Sequence, residues 1–370
     1  MQGYRLMRTV RIFLGILFAC AATAVAGDWT LVKYEGRDHV TLDNVAQFYG
    51  LGGVTRVKND LNIGTYGRSL RGAVGSNELY INNLKFILSY PIADHNGQPI
   101  VSRMDLTKVI EPVLRPSRIK GAERVDTIIL DPGHGGHDNG ATCIWGNEKN
   151  FALDVAKRAK SILEEHGFKV YLTRSADYFV PLEERVRFAN RFSNALFIAI
   201  HFNSGGPAAS GLETYTLAPR GVPSMMADGP RISDLDPCPG NARDSENMAL
   251  ATATHASLVS HSLLYDRGIK RARFVVIRDI TIPGVLIEGG FVSNPSDSRK
   301  IATTQYRQNM AFCIAAAAQN YRNAVGMQPP PTLVAGQSVK VREDTEGANS
   351  TLSQPKPEEE STGTPPASAN

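Results

Sequence analysis

Cysteine is scarce in this chain, with four residues in 370. There is no Cys-x-x-Cys pair and no Cys/His cluster, which argues against a structural zinc knuckle. Cys20 lies in the N-terminal apolar run. Cys143, Cys238 and Cys313 are odd in number, so at least one thiol is unpaired within a monomer; a Cys143–Cys238 disulfide would suit an oxidising compartment, but no residue pattern requires it. Long apolar runs are also missing. The longest, from Ile12 to Ala22, falls short of the roughly 20 residues of a spanning helix, so no permanent membrane span is expected. Charge of one sign is lacking too. The formal net charge is +4, and the basic N-terminus and acidic C-terminus roughly cancel, leaving a body too weakly basic to suggest nucleic acid. No long internal repeat is visible.

The two ends have compositions of their own. Arg5, Arg8 and Arg11 precede the apolar run, and Ala24-Val25-Ala26 supplies a small-x-small cleavage site, so residues 1–26 read as a signal peptide. Leu17-Phe18-Ala19-Cys20 matches a lipoprotein box poorly because of Phe18, and simple cleavage is the preferred reading over lipidation at Cys20. The expected location is exported, in the periplasm or cell envelope. Residues 324–370 are rich in Pro, Glu, Ser and Thr. Too few apolar groups remain there to offset the entropy of ordering, so a disordered tail is expected.

Between the ends, the pattern divides near residue 120. Residues 27–120 read as short strands with many glycines and one or two short helices, a small β-rich α+β segment. Val40 to Gly50 and Ile100 to Leu106 each read as a strand running into a helix, and Glu78 to Phe86 has hairpin character. This segment resembles the small accessory domain, first named from copper amine oxidase N-termini, that accompanies envelope hydrolases. It carries no copper-ligand cluster, and both a scaffolding and a wall- or partner-binding role remain open. Residues 124–323 alternate strands with helices, the mark of an α/β layer fold with a mixed, mostly parallel sheet flanked by helices. Strands are expected at 127–131, 168–173, 195–201, near 274–278 and at 284–288. Helices are expected at 148–166, 181–190, 246–264 and 304–322.

The chemistry gathers at strand ends. Asp131-Pro132-Gly133-His134-Gly135-Gly136 closes the first strand of this α/β part, and in such folds ligands sit beyond the carboxyl ends of strands. His201 ends another apolar strand, and Glu148 opens the helix between them. Two imidazoles and a carboxylate, with one position left open, form the donor set of a catalytic zinc. Glu288 ends the strand Val285-Leu286-Ile287, where an unpaired carboxylate is costly unless a cation is near. His255 and His261 lie six apart on a helix, not at the i, i+4 spacing of a metal pair, and read as structural. His137 reads as a solvent-facing loop residue.

These blocks, together with Glu148-Lys149, Ile200-His201-Phe202-Asn203 and Leu286-Ile287-Glu288-Gly289-Gly290-Phe291-Val292-Ser293-Asn294-Pro295, resemble the zinc-dependent N-acetylmuramoyl-L-alanine amidases of the amidase_3 type. The resemblance covers roughly residues 124–323, with its blocks in the family's order. It implies one Zn2+ held by His134, Glu148 and His201, with Glu288 as the catalytic carboxylate. It implies cleavage of the amide between the N-acetylmuramic acid lactyl group and L-alanine in peptidoglycan, in wall remodelling or daughter-cell separation. Asp131, Asn203 and Ser204 would contact substrate or support the ligands. Thr142-Cys143-Ile144-Trp145 departs from the family's glycine-rich pattern and would make a bulkier pocket wall. A catalytically inactive wall-binding protein and a zinc peptidase acting on stem peptides are the alternative readings. Some relatives carry an inhibitory segment after the second His block. Here the loop from about Leu217 to Asp244, with Asp228, Asp234 and Asp236, is either such a regulatory element or a plain surface excursion. An envelope activator protein is a possible partner of a regulated enzyme of this kind.

Overall fold

The turn residues of the N-terminal third set its architecture. The computed structural model describes residues 29–326 other than Tyr66, Glu123, Asp228 and Leu263. The leader with Cys20, the tail from residue 327 and Asp228 therefore lie outside the described residues. The first elements are β1 (Leu31–Tyr34), β2 (Arg37–Thr41), α1 (Leu42–Tyr49), β3 (Val54–Val57), β4 (Asp60–Thr65), β5 (Arg68–Ala73), β6 (Glu78–Ile81), β7 (Leu84–Ile87), β8 (Ala93–His95) and β9 (Gln98–Ser102). Thr41 caps α1 by accepting from the Asn44 amide, and Gly50 ends it in the left-handed conformation at φ 62°. Asn82 and Asn83, both at positive φ, make the tight turn between β6 and β7. Ser102 caps α2 (Arg103–Asp105), which runs through a π-helical stretch (Leu106–Ile110) into α3 (Glu111–Leu114).

Then follow β10 (Thr127–Pro132), the short β11 (Thr142–Cys143) and β12 (Gly146–Asn147), α4 (Glu148–Glu165), β13 (Lys169–Leu172), α5 (Leu182–Ala189), β14 (Ala195–Asn203), β15 (Leu212–Leu217), α6 (Asp244–His261), β16 (Asp266–Ala272), α7 (Val275–Arg278), β17 (Gly284–Phe291), α8 (Pro295–Ile301) and α9 (Thr304–Val325). One eleven-stranded sheet has the order β13-β10-β14-β17-β15-β16-β7-β6-β5-β4-β3. Strands β13, β10, β14 and β17 are parallel, and β15 runs against β17. The expected mixed sheet with flanking helices is therefore present, as is the β-rich N-terminal segment.

That segment continues the same sheet. Strand β7 pairs in parallel with β16 at Phe86 and Ile269, while β1, β2, β9 and β8 form a separate four-stranded sheet. Beneath the junction, Arg271 of β16 makes a buried ion pair of 3.2 Å with Asp105. On one face of the central strands, Leu130, Ile198, Ile200 and Ile287 pack against Val155, Leu250 and Ile314 from α4, α6 and α9. On the other face, Ile129, Phe197 and Leu286 pack with Val186, Val276 and Ile277 from α5 and α7. The alternation of strand side chains divides these two cores.

One expected strand is absent. Residues 274–278 form a single helical turn, not a strand, because Val276 and Ile277 are drawn into the core beside α5. The strand in that region is β16, just upstream, whose charged sequence hides it. Cys143, Cys238 and Cys313 are all free, so the Cys143–Cys238 bridge is not formed. Among the described residues, no helix is long and apolar enough to cross a membrane.

Candidate active site

The carboxyl ends of β10, β14 and β17 lie side by side, with His201 in register with Glu288. His134 stands two residues beyond β10 with φ 61°, a backbone region that side-chain-bearing residues rarely occupy and that commonly marks a functional constraint. Two buried arginines hold it there. The strand has ended, so the carbonyls of residues 132–134 have lost their ladder partners and need other donors. Arg174 donates to the carbonyls of Pro132 (3.0 Å) and Gly133 (2.7 Å). Arg185 donates to those of Pro132 (2.8 Å) and His134 (2.7 Å), and pairs with the Asp131 carboxylate at 2.7 Å. Asp131 is thus buried beneath the His134 loop, with its carboxylate taken up by Arg185 and the Thr173 hydroxyl.

Glu148, in the first turn of α4, carries the convergence. Its Oε1 lies 3.0 Å from both His134 Nε2 and His201 Nδ1 and accepts from the Phe202 amide, while Oε2 accepts from the Ala141 amide. The potential ligand atoms of His134, Glu148 and His201 all lie within 4.8 Å of one another. Burial opposes the charge of Glu148, but hydrogen bonding to the two imidazoles outweighs it and holds the carboxyl below the ordinary range. For His134, burial is likewise outweighed by Glu148 and Asp138, which raise its pKa. Asp138 lies 2.8 Å from His134 Nδ1 and fixes the ring from behind, a role that His-x-x-x-Asp spacing could have signalled.

A Cβ on Gly133 would fall 2.2 Å from His201 Cε1, and one on Gly140 would fall 2.6 Å from both Glu148 and His134. The glycines therefore leave the space in which three nitrogen and oxygen donors meet, a donor set that fits zinc.

Glu288 is half-buried beside this cluster, and its Oε2 has no hydrogen-bond partner. Burial, then the neighbouring Glu148 and Glu213 carboxylates, push its pKa well above the ordinary carboxylate range. A carboxyl so placed is suited to carrying a proton. Glu213, opposite Glu288 on β15, had no role in the sequence reading. Asn203 donates to Glu213 at 3.2 Å and accepts from the amide of exposed Ser204 at 2.8 Å, so these two residues line the rim next to His201.

Other expected residues lie elsewhere. Asp234 is buried against Arg273 at 3.1 Å and is not one of the converging groups, while Asp236 is exposed. His137 is exposed with its ring against Phe179, and His255 is buried between Thr214 and Asp266. Ile144 is 90% exposed and Trp145 half exposed, so the β11–β12 hairpin projects outward where a thicker pocket wall was expected. A cavity of about 310 Å³ between Lys108, Arg115, Asn241 and Asp244 contains none of the converging residues.

The chain also matches known proteins. The family model described as N-acetylmuramoyl-L-alanine amidase (Amidase_3) matches residues 128–320. The chain is 33% identical over 245 residues to N-acetylmuramoyl-L-alanine amidase AmiA of Escherichia coli (strain K12), a match covering 60% of this chain and 84% of that protein. It is 32% identical over 186 residues to the sporulation-specific N-acetylmuramoyl-L-alanine amidase of Bacillus subtilis (strain 168), covering 50% of this chain and 63% of that protein. Among solved structures, the catalytic domain of CwlV, an N-acetylmuramoyl-L-alanine amidase from Bacillus (Paenibacillus) polymyxa, is 31% identical with a TM-score of 0.46, covering 54% of this chain and 99% of that one. With the family model spanning more than half the chain and every strand end of the site inside it, this protein belongs to the N-acetylmuramoyl-L-alanine amidase family.

Proposed function

We propose that the chain is a zinc-dependent peptidoglycan hydrolase that cuts the amide between the muramic lactyl group and L-alanine. The convergence of His134, Glu148 and His201 beside Glu288, in register with His201, carries this reading. His134, Glu148 and His201 would hold the ion, with Asp138 orienting His134. When bound, zinc supplies a Lewis acid for the amide carbonyl and for a water molecule. The charge of a bound cation would favour the ionised form of Glu288, which would take a proton from the attacking water and deliver it to the departing alanine nitrogen.

The remaining assignments follow from the same reading. Residues 1–26 direct export to the periplasm or envelope, and 124–323 carry the chemistry. Residues 27–120 carry none of the converging groups; β7 instead extends the sheet beside β16 and Asp105 pairs with Arg271 of β16, which favours a scaffolding role for them. The Leu217–Asp244 loop is the place where an activator in the envelope would act, with exposed Met225 and Met226 as its contact.

Digesting purified muropeptides and identifying the new ends tests the reaction. A free lactyl carboxyl with a free alanine amine is the expected product pair; a new peptide carboxyl would indicate a peptidase, and intact muropeptides an inactive binder. His134→Ala and His201→Ala should each lose bound zinc, falling from about one ion per chain to a small fraction, because two remaining donors make a poor site. Metal analysis after dialysis reads this directly, and stoichiometric zinc in both variants would reject the ligand assignment.

A further inference from the structure

Across the sheet edge, the site does not end at Glu288. Next in strand order stand Glu213 on β15, and then Arg267 and Lys270 on β16. Glu213 is nearly sealed, its side chain 2% exposed, and all its acceptor capacity is used. Its Oε1 accepts from Arg267 Nε and from Lys270 Nζ at 2.7 Å, and its Oε2 accepts from the Tyr215 hydroxyl at 2.6 Å and from Asn203. One buried carboxylate requires one cation, yet two converge on it, which leaves a positive charge in surplus. Both cations keep donors unused. Among the described residues, Arg267 spends Nη1 on the Ser210 carbonyl and has no acceptor on Nη2, and Lys270 has one oxygen acceptor for three hydrogens. Their side chains are 32% and 17% exposed, open to solvent on the side that Glu213 does not occupy. Arg267 is further fixed with its guanidinium 5.0 Å over the Phe291 ring.

We infer that Arg267 and Lys270 form a carboxylate-binding subsite for the acidic stem peptide, so that the peptide crosses β15 and β16 while the glycan leaves over β10. The inference rests on the amidase reading above and gives it a direction. Glu288 must face the departing nitrogen, and it lies between the His134–Glu148–His201 cluster and the two cations. The peptide side of the scissile bond therefore points toward Arg267 and Lys270. Beyond its first alanine, a peptidoglycan stem carries a glutamyl residue with a free or amidated α-carboxyl, an anion of the kind that a preorganised Arg/Lys pair binds.

The test uses full-length protein and two synthetic stem peptides beginning L-alanyl-γ-D-glutamyl, identical except that the glutamyl α-carboxyl is free in one and amidated in the other. Calorimetric titration should show the acid binding about tenfold more tightly, the effect of about one charge-assisted hydrogen bond. In Lys270→Met and in Arg267→Gln, each of which leaves one cation on Glu213, the preference should shrink to about twofold or less. Equal binding of the two peptides by the wild type, no binding of either, or an undiminished preference in both variants would each overturn the inference. Because the comparison of ligands on unaltered protein needs no variant to fold, it decides the matter alone. Muropeptide cleavage is scored separately. A protein that prefers the acid peptide but cuts no lactyl amide refutes the amidase reading and leaves the subsite standing.

Discussion

Glu288→Gln should retain its zinc, lose turnover by about 10²–10⁴-fold and, once stripped of metal, be more stable than the wild type at neutral pH. The first two effects separate a proton carrier from a metal ligand. Glutamine keeps the shape of the side chain but cannot take a proton from water, and His134, Glu148 and His201 are untouched. The third effect follows from burial and from the Glu148 and Glu213 carboxylates, which raise the folded-state pKa of Glu288 well above the 4.5 of a free glutamate. Below about pH 4.5 the folded and unfolded chains both carry the proton, and the site costs no stability. As the pH rises from there toward the folded-state value, the unfolded chain releases the proton while the folded one retains it. The wild type then loses stability by up to about 1.4 kcal/mol per pH unit, and the glutamine variant does not. Denaturant unfolding of chelator-treated proteins from pH 4 to pH 8 should therefore give curves that diverge as pH rises. Parallel curves would show that Glu288 ionises normally, and a variant that still turns over rapidly would remove it from the reaction.

The parts of this fold that could be read from the sequence are those whose causes are local. Strand Thr127–Pro132 carries the apolar run Ile128-Ile129-Leu130 and is buried on both faces, and the glycines after it announce the turn that presents His134. Helix Glu148–Glu165 follows its helical spacing, as does Thr304–Val325, which runs on to Val325, past the expected end at Arg322. Strand β16 failed the same reading because its causes are distant. Its sequence, Asp266-Arg267-Gly268-Ile269-Lys270-Arg271-Ala272, looks solvated, yet Glu213 lies 54 residues from Arg267, and Asp105, on an N-terminal helix, neutralises Arg271. A buried charge is legible only to a reader who knows its partner. Phe274 to Arg278 failed in the opposite sense. Its β-branched run favours a strand locally, but burial beside α5 draws it into a helical turn. The converging His134 and His201 were legible because histidines at strand ends are a local pattern, whereas the arginines that hold the backbone at His134 come from 40 or more residues downstream.

Those arginines set the second large expectation. Arg185→Met should lower stability by about 3–5 kcal/mol, because it leaves the Asp131 carboxylate buried without its cation. In a domain of this size, that corresponds to a fall in melting temperature of about 5–15 °C. Arg185→Lys should recover only part of the loss. A lysine has one nitrogen, whereas the guanidinium serves Asp131, the Val180 carbonyl at 2.9 Å and the Pro132 and His134 carbonyls together. Asp131→Asn combined with Arg185→Met should be less damaging than the two single losses added, since the stranded charge is then gone. The effect should also reach the site. His134 holds its φ of 61° against its own preference, and without the donor on its carbonyl the loop can relax toward ordinary backbone conformations, carrying the imidazole away from Glu148. Zinc affinity of the lysine variant, measured by competition with a chelator, should fall about 10–100-fold while its circular dichroism matches the wild type. If Arg185→Met unfolds within about 1 kcal/mol of the wild type, or the lysine variant binds zinc at full strength, the arginine is packing alone, and the rigidity of the His134 loop must come from Arg174 and the glycines.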